Sequence, residues 1–180
     1  MTRRLIEEHL PIAALSEESI RERRSMTALP PLYYLHVWWA RRPLVASRAA
    51  ILASILPPDA DQEKFLHALG IHGNPVATKR KIEVAKKTGE DLGPDPYGYK
   101  RAFTYSLSDT DFSWINSELG ENGFHQPQML DPTAGGGSIP FESLRLGLPT
   151  YANELNPVAT YIMNQSLREP FENGKTILHE

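Results

Sequence analysis

The chain has 180 residues, of which 41% are hydrophobic and 9% aromatic; it can bury a core of ordinary domain size and is not a disordered polymer. It contains no cysteine, which excludes a disulfide framework, a cysteine-ligated zinc or iron–sulfur centre and a thiol nucleophile. The net charge of −3 divides unevenly: residues 1–50 carry eight arginines, no lysine and five acids (+3), residues 51–100 balance at seven and seven, and residues 101–180 hold four bases and ten acids (−6).

Three zones follow one another, at residues 1–56, 57–125 and 126–180. The first begins Met1-Thr2-Arg3-Arg4-Leu5-Ile6-Glu7-Glu8, with no apolar stretch of the secretory type, and no run in the chain is long and apolar enough to span a bilayer. A soluble, cytoplasmic protein with no membrane and no metal partner is expected. Leu5 to His9 reads as a short helix stopped near Pro11. Ser16 is placed to cap a second helix, with Glu17 and Glu18 in its first turn and Arg21, Arg23 and Arg24 toward its end, as the helix macrodipole favours. Leu29-Pro30-Pro31-Leu32 breaks it. After the apolar patch from Leu32 to Ala40, Arg41-Arg42-Pro43 opens a third helix, with Pro43 at its first position and a stripe of Leu44, Arg48, Ile51, Leu52 and Ile55. An arginine-only first quarter hints at anion or nucleic-acid contact, because the guanidinium fork suits phosphate, carboxylate and ring stacking.

Residues 57–125 read as an insertion of helices joined by loops, poorer in core material. They hold Asn74-Pro75, a basic helical stretch from Lys79 to Lys87, a turn-rich run from Gly93 to Tyr99, and a short helix with Asp109 as cap and Phe112, Trp114, Ile115 and Leu119 along it.

The third zone changes period. A strand at Pro127–Leu130 leads into Asp131-Pro132-Thr133-Ala134-Gly135-Gly136-Gly137-Ser138. A helix from Phe141 to Leu146 follows, Gly147 sits where a left-handed C-cap belongs, and a second strand over Pro149–Asn153 ends at Glu154. Pro157 opens a further helix with Val158, Tyr161, Ile162 and Gln165 on one face. Strand, glycine turn, helix, strand and acid together describe the start of a nucleotide-binding α/β sheet. Glycines let a ligand approach the backbone, free amides at the helix start accept an anionic group, and Glu154 lies 23 residues after Asp131, close to the offset of a ribose-binding carboxylate. The P-loop requires Lys-Ser/Thr after its last glycine, whereas Ser138-Ile139 stands here; the G-x-G-x-x-G fingerprint fails because the three glycines are contiguous. An S-adenosylmethionine site remains.

Asp131 to Ser138 resembles motif I of DNA amino-methyltransferases, D-P-F-A-G-G-G-S/T, with Thr133 in place of the usual Phe. Asn153-Glu154-Leu155-Asn156-Pro157 is similar to their second-strand acid followed by N-P. The stretch from His36 to Arg48, with Ser19-Ile20-Arg21-Glu22 upstream, resembles an uncharacterised N-terminal domain of predicted adenine-specific DNA methylases. The resemblance implies an incomplete Rossmann-like class I methyltransferase sheet, its first two strands only, preceded by a mainly helical region. It further implies that Gly135, Gly136 and Gly137 lie under the methionine part of the cofactor, within a site of Asp131, Pro132, Ala134, Glu154, Leu155 and Asn156. In that site Asp131 fixes the loop, Glu154 takes the ribose hydroxyls and Leu155 packs on adenine. Arg41 or Arg42 would face the cofactor carboxylate or DNA phosphates, and Trp38 and Trp39 would line the pocket or stack on an extruded base.

The family's catalytic N/D-P-P-aromatic tetrapeptide is missing. Asn74-Pro75-Val76, Asn156-Pro157-Val158, Asp95-Pro96-Tyr97 and Leu29-Pro30-Pro31-Leu32 each lack part of it. The expected function is therefore the N-terminal part of a DNA methyltransferase, of adenine-N6 type, inactive by itself. It would meet DNA through the full-length protein and work with the rest of a split or longer polypeptide. The alternative is a non-catalytic module, derived from a methyltransferase, that binds nucleic acid or a partner.

Overall fold

The computed structural model describes residues 3–24, 30–34, 36–121, 126–170 and 172–173. Leu29 of the expected helix break, Leu35 of the apolar patch, the zone boundary at residue 125 and residues 174–180 lie outside these. The fold is helix-rich α/β. Helices α1 (Leu5–Glu8), α2 (Ile12–Arg23), α3 (Leu44–Ile55), α4 (Gln62–Ala68), α5 (Pro75–Thr88) and α6 (Asp109–Glu121) come first. Strand β1 (Met129–Asp131), helix α7 (Ser138–Arg145), strand β2 (Thr150–Ala152) and helix α8 (Pro157–Met163) follow. The strands are parallel, with Met129, Leu130 and Asp131 opposite Thr150, Tyr151 and Ala152.

Several helix ends differ from the sequence expectation. Helix α2 starts directly after Pro11, so Ser16 lies inside it and Glu17 and Glu18 are beyond its first turn; starting early lets Leu15 join the core. Pro43 is the N-cap of α3 rather than its first helical residue. Ser108, not Asp109, caps α6: the Asp111 amide donates to Ser108 Oγ (3.2 Å) while the Ser108 amide donates to Asp111 Oδ2 (2.8 Å). Helix α7 begins at Ser138, because Pro140 falls within the first turn, where no amide partner is needed. Asn74 and Asn156 each precede a proline and cap a helix, accepting from Ala77 N (2.9 Å) and Val158 N (2.9 Å). Both N-P pairs thus serve as helix starts.

The main core draws on all three zones. Leu5, Leu15, Leu52 and Leu56 pack with Phe65, Leu69, Trp114 and Ile115, and with Leu146 at the end of α7. The segment over residues 57–125 therefore supplies core side chains in quantity, against the poorer content expected of an insertion. A second cluster joins Leu32, Leu44 and Phe103 to Met163 and Leu167.

Two buried carboxylates tie separate elements together, Glu142 between the first and third zones and Glu22 within the first. Arg48 and Glu142, both fully buried, pair at 2.7 Å between α3 and α7. Arg48 also donates to the carbonyls of Ala68 (3.4 Å) and Tyr105 (3.1 Å). Arg145 completes the network, donating to Glu142 (2.8 Å) and to the carbonyls of Phe103 (3.0 Å) and Tyr105. Glu22 reaches from α2 to the start of α3, where it accepts the amides of Leu44 (2.9 and 3.0 Å) and Val45 (3.4 Å). Burial pushes its carboxyl from an ordinary 4.5 up to about 7, against the opposing pull of those amides.

Replacing Arg48 by Met leaves Glu142 buried with Arg145 as its remaining cation. A loss of about 3–5 kcal/mol in urea unfolding is expected, the cost of breaking a buried pair; a loss below about 1 kcal/mol contradicts this role. The Glu22 carboxyl is raised on folding, so its stabilising contribution is full below about pH 4.5 and is lost as pH rises through about 7. Glu22→Gln keeps an acceptor and removes the titration. Relative to wild type, the variant should gain on the order of 3 kcal/mol between those limits; unfolding curves that run parallel across that window refute the assignment.

Candidate functional site

The strand–turn–helix unit forms as expected, and its turn is built around three amide–carbonyl links. The Asn153 amide donates to the Asp131 carbonyl (2.8 Å), and the Ala134 amide to the Asn153 carbonyl (3.0 Å), extending the ladder past β1. The Gly137 amide then closes on the Ala134 carbonyl (2.9 Å). Asp131 is buried, and its Oδ1 accepts the Thr133 amide (3.1 Å), a bond that ties the end of β1 to the loop.

Glycine is required at this bend by close approach. A Cβ on Gly136 would stand 2.7 Å from Trp38 Cβ, and one on Gly135 would stand 2.9 Å from Trp38 Nε1. Gly137 has φ +80° and backs onto Met163 and Leu167, where a Cβ would come within 3.0 and 3.1 Å. Trp38 therefore lies directly against the glycine bend, which joins zones one and three. Trp39 is 79% exposed, with its ring edge-on to Trp38 at 4.8 Å.

Between the Trp38–Arg42 segment and the loop lies a pocket of about 170 Å³, lined by Tyr33, Trp38, Arg41, Arg42, Asp131 and Gly136 among others. Six of the thirteen residues singled out in the sequence line it, namely Trp38, Arg41, Arg42, Asp131, Ala134 and Gly136. Arg41 is positioned by Tyr33, its guanidinium carbon 5.0 Å from the ring centre. The pocket holds cations from one zone and the Asp131 carboxylate from another, an arrangement complementary to a zwitterion.

Glu154 points at the bend without lining that pocket. Its Oε2 accepts the Gly135 amide at 2.7 Å and its Oε1 the Asn156 amide at 3.0 Å. The Asn156 and Gly135 amides hold this carboxyl below the ordinary carboxylate value. Leu155 beside it is 94% exposed. Asn156 is occupied as the cap of α8, and Pro132, at the surface, offers its carbonyl to the Asn153 side chain (3.2 Å). On α8 the buried face is Ala159, Ile162 and Met163, whereas Val158 and Tyr161 are exposed; docking of Met163 on Gly137 sets this orientation.

Sequence reasoning missed Tyr33 and Glu22 as supports of the site. Tyr33 lay inside an apolar patch with nothing to single it out. Glu22 was noted only as part of a pattern; its link to Leu44 spans 22 residues and has no local signal.

Residues 9–71 match a family model described as a protein of unknown function, DUF1156, a stretch that includes α2, the Trp38–Arg42 segment and α3. No curated protein and no solved structure matches the chain. Among the described residues no group of three or more His, Asp or Glu is placed to hold a metal, and no helix is long and apolar enough to cross a membrane.

Gly136→Ala is expected to displace Trp38 and to cost about 1–3 kcal/mol in urea unfolding, the range for overpacking. Adding Trp38→Gly, which removes the Cβ that the new methyl group meets, should recover part of that loss relative to the sum of the single changes. Strictly additive losses would show that the two residues do not meet.

Proposed function

We propose that this chain supplies the cofactor half of an S-adenosylmethionine-dependent DNA amino-methyltransferase, of the adenine-N6 type. In this reading β1, α7 and β2 begin a Rossmann-like class I methyltransferase sheet. The observation that carries it is the meeting of Trp38, Arg41 and Arg42 with Asp131 and the glycine bend around one pocket, with Glu154 reaching the same bend from β2.

The chemistry of the donors fits the cofactor. S-adenosylmethionine presents a zwitterionic amino acid at one end, two ribose hydroxyls in the middle and an apolar purine at the other, and it supplies an electrophilic methyl group. Arg41 and Arg42 suit its carboxylate, and Asp131 suits its ammonium. A volume of about 170 Å³ is below the several hundred that whole small-molecule sites occupy. It matches the amino-acid end alone. Glu154 is ionised and open to solvent, ready to accept from ribose hydroxyls, and the bare side chain of Leu155 offers a purine an apolar seat.

The target-base half would come from the polypeptide that carries the family's catalytic tetrapeptide. The sheet's second face is bare, with Leu130 and Tyr151 paired on it and both exposed, while parallel sheets are ordinarily covered on both faces. No N/D-P-P-aromatic sequence occurs in the chain to hold a flipped adenine. Methyl transfer is therefore expected only when a polypeptide carrying that element completes the sheet.

Calorimetric titration of the 180-residue chain with S-adenosylmethionine tests the reading. Weak one-to-one binding is expected, falling at least about tenfold in Glu154→Ala, the size of one lost hydrogen bond to a charged group. Absence of binding, or binding unaffected by that substitution, refutes it.

A further inference from the structure

A second cavity, of about 450 Å³, lies away from the glycine bend, between α2, α5 and the loop at residues 94–101. Its lining contains six cations, Arg21, Arg24, Lys79, Lys86, Lys100 and Arg101, against two acids, Glu17 and Asp95. These lining side chains sum to +4, and to +2 once Glu18 and Glu83, which pair with Arg21 and Lys79, are included, in a chain of net −3.

Two of the six cations are engaged internally. Arg21 pairs with buried Glu18 at 2.7 Å, and Lys79 with Glu17 at 3.2 Å and Glu83 at 3.8 Å. Arg24, Lys86 and Lys100 have no carboxylate partner among the described residues. Arg101 spends only its Nε, on the Arg21 carbonyl at 3.3 Å. The C-terminal ends of α2 and α5 are nearby and contribute about half a negative charge each. That offsets only part of the surplus from four unpaired cations. Solvation alone explains scattered surface lysines, but not their convergence from three separate chain segments on one concavity.

The groove's aromatic side chains are already used. The Arg21 guanidinium carbon lies 3.7 Å from the centre of the Tyr97 ring and 4.8 Å from that of Tyr99. Tyr99 also donates its hydroxyl to Glu18 at 2.7 Å. A single strand binds by stacking bases on free aromatic faces, and here a cation covers the ring. What remains is a rigid wall of charge, which suits a phosphate backbone.

We infer that this groove docks the phosphate backbone of double-stranded DNA, without reading sequence. The site shares no lining residue with the pocket at the glycine bend and does not depend on methyl transfer, so each reading can fail without the other.

Fluorescence anisotropy of a mixed-sequence duplex with the full chain, at about 50 to 200 mM salt, tests it. Four phosphate contacts, one for each unpaired cation, predict a slope of log K against log salt near −3.6, and roughly a 150-fold loss across that range. The triple variant Arg24→Gln, Lys86→Gln, Lys100→Gln changes exposed side chains only, and its urea unfolding midpoint should match wild type. It should bind the duplex at least about tenfold more weakly at the low-salt end, with a slope near −0.9 from the one contact left to Arg101. A charge-matched control, Arg80→Gln, Lys81→Gln, Lys87→Gln, alters cations outside the groove and should retain both affinity and slope. Equal losses in the two variants, unchanged binding in the first, or no duplex binding by wild type overturns the inference. Tight one-to-one binding of tripolyphosphate that the duplex does not displace also overturns it, by showing a small phosphate ligand instead.

Discussion

The charge network at Arg48 is the constraint on which the arrangement of the molecule depends. Removing a guanidinium and a carboxylate from water costs several kcal/mol each, and their mutual attraction offsets that only when every remaining donor and acceptor is met. Here the partners come from far apart in sequence: Glu142 and Arg145 on α7, and the carbonyls of Ala68, Phe103 and Tyr105. A shift of any one of these segments leaves a buried charge exposed to an apolar environment. The network therefore fixes α7 against α3, and α7 in turn carries the glycine bend at its start. Glu18 does the same between α2 and the loop at residues 99–102, accepting from Arg21, Tyr99 and the Ala102 amide.

That rigid frame explains why the Trp38–Arg42 segment can lie against the bend. Helix α3 begins two residues after Arg42, and its first amides are held by Glu22 from α2. At the other side, Trp38 rests on backbone without any Cβ between them. The segment is thus anchored at both ends, one by a buried carboxylate and one by close packing. The family match over residues 9–71 covers the first anchor and the segment itself but stops short of the bend.

The local signals in the sequence were reliable where they reflected local physics. The glycine bend, the left-handed Gly147 after α7, the helix opened by Pro157 and the α3 stripe all depend on neighbours a few residues away, and all formed. What the sequence could not convey was the direction of long-range partners. Arg48 read as one position in an apolar stripe, and only its distant partner on α7 reveals why a charge belongs there. Val158, Tyr161 and Ile162 read as one face of α8; the contact of Met163 with Gly137 buries Ile162 and leaves the other two outward. Ser16 has the chemistry of a cap, but Pro11 begins the helix sooner. Residues 57–125 looked polar because their core side chains are widely spaced, and tertiary folding gathers Phe65, Leu69, Trp114 and Ile115 into one cluster.

The hydrogen bonds of Glu154 carry a consequence for any ligand that engages this carboxylate. Each of its oxygens already accepts one bond, from the backbone N–H at the top of the bend and from the N–H just before α8, and each keeps a further lone pair. A hydroxyl arriving there adds a bond to an acceptor whose position those amides have already set. Little side-chain freedom is left to lose when a ligand engages it, so the ordering cost of association at this corner is low. Selectivity at the corner then follows from direction, and a ligand whose donors meet the remaining lone pairs is favoured over one whose donors point elsewhere.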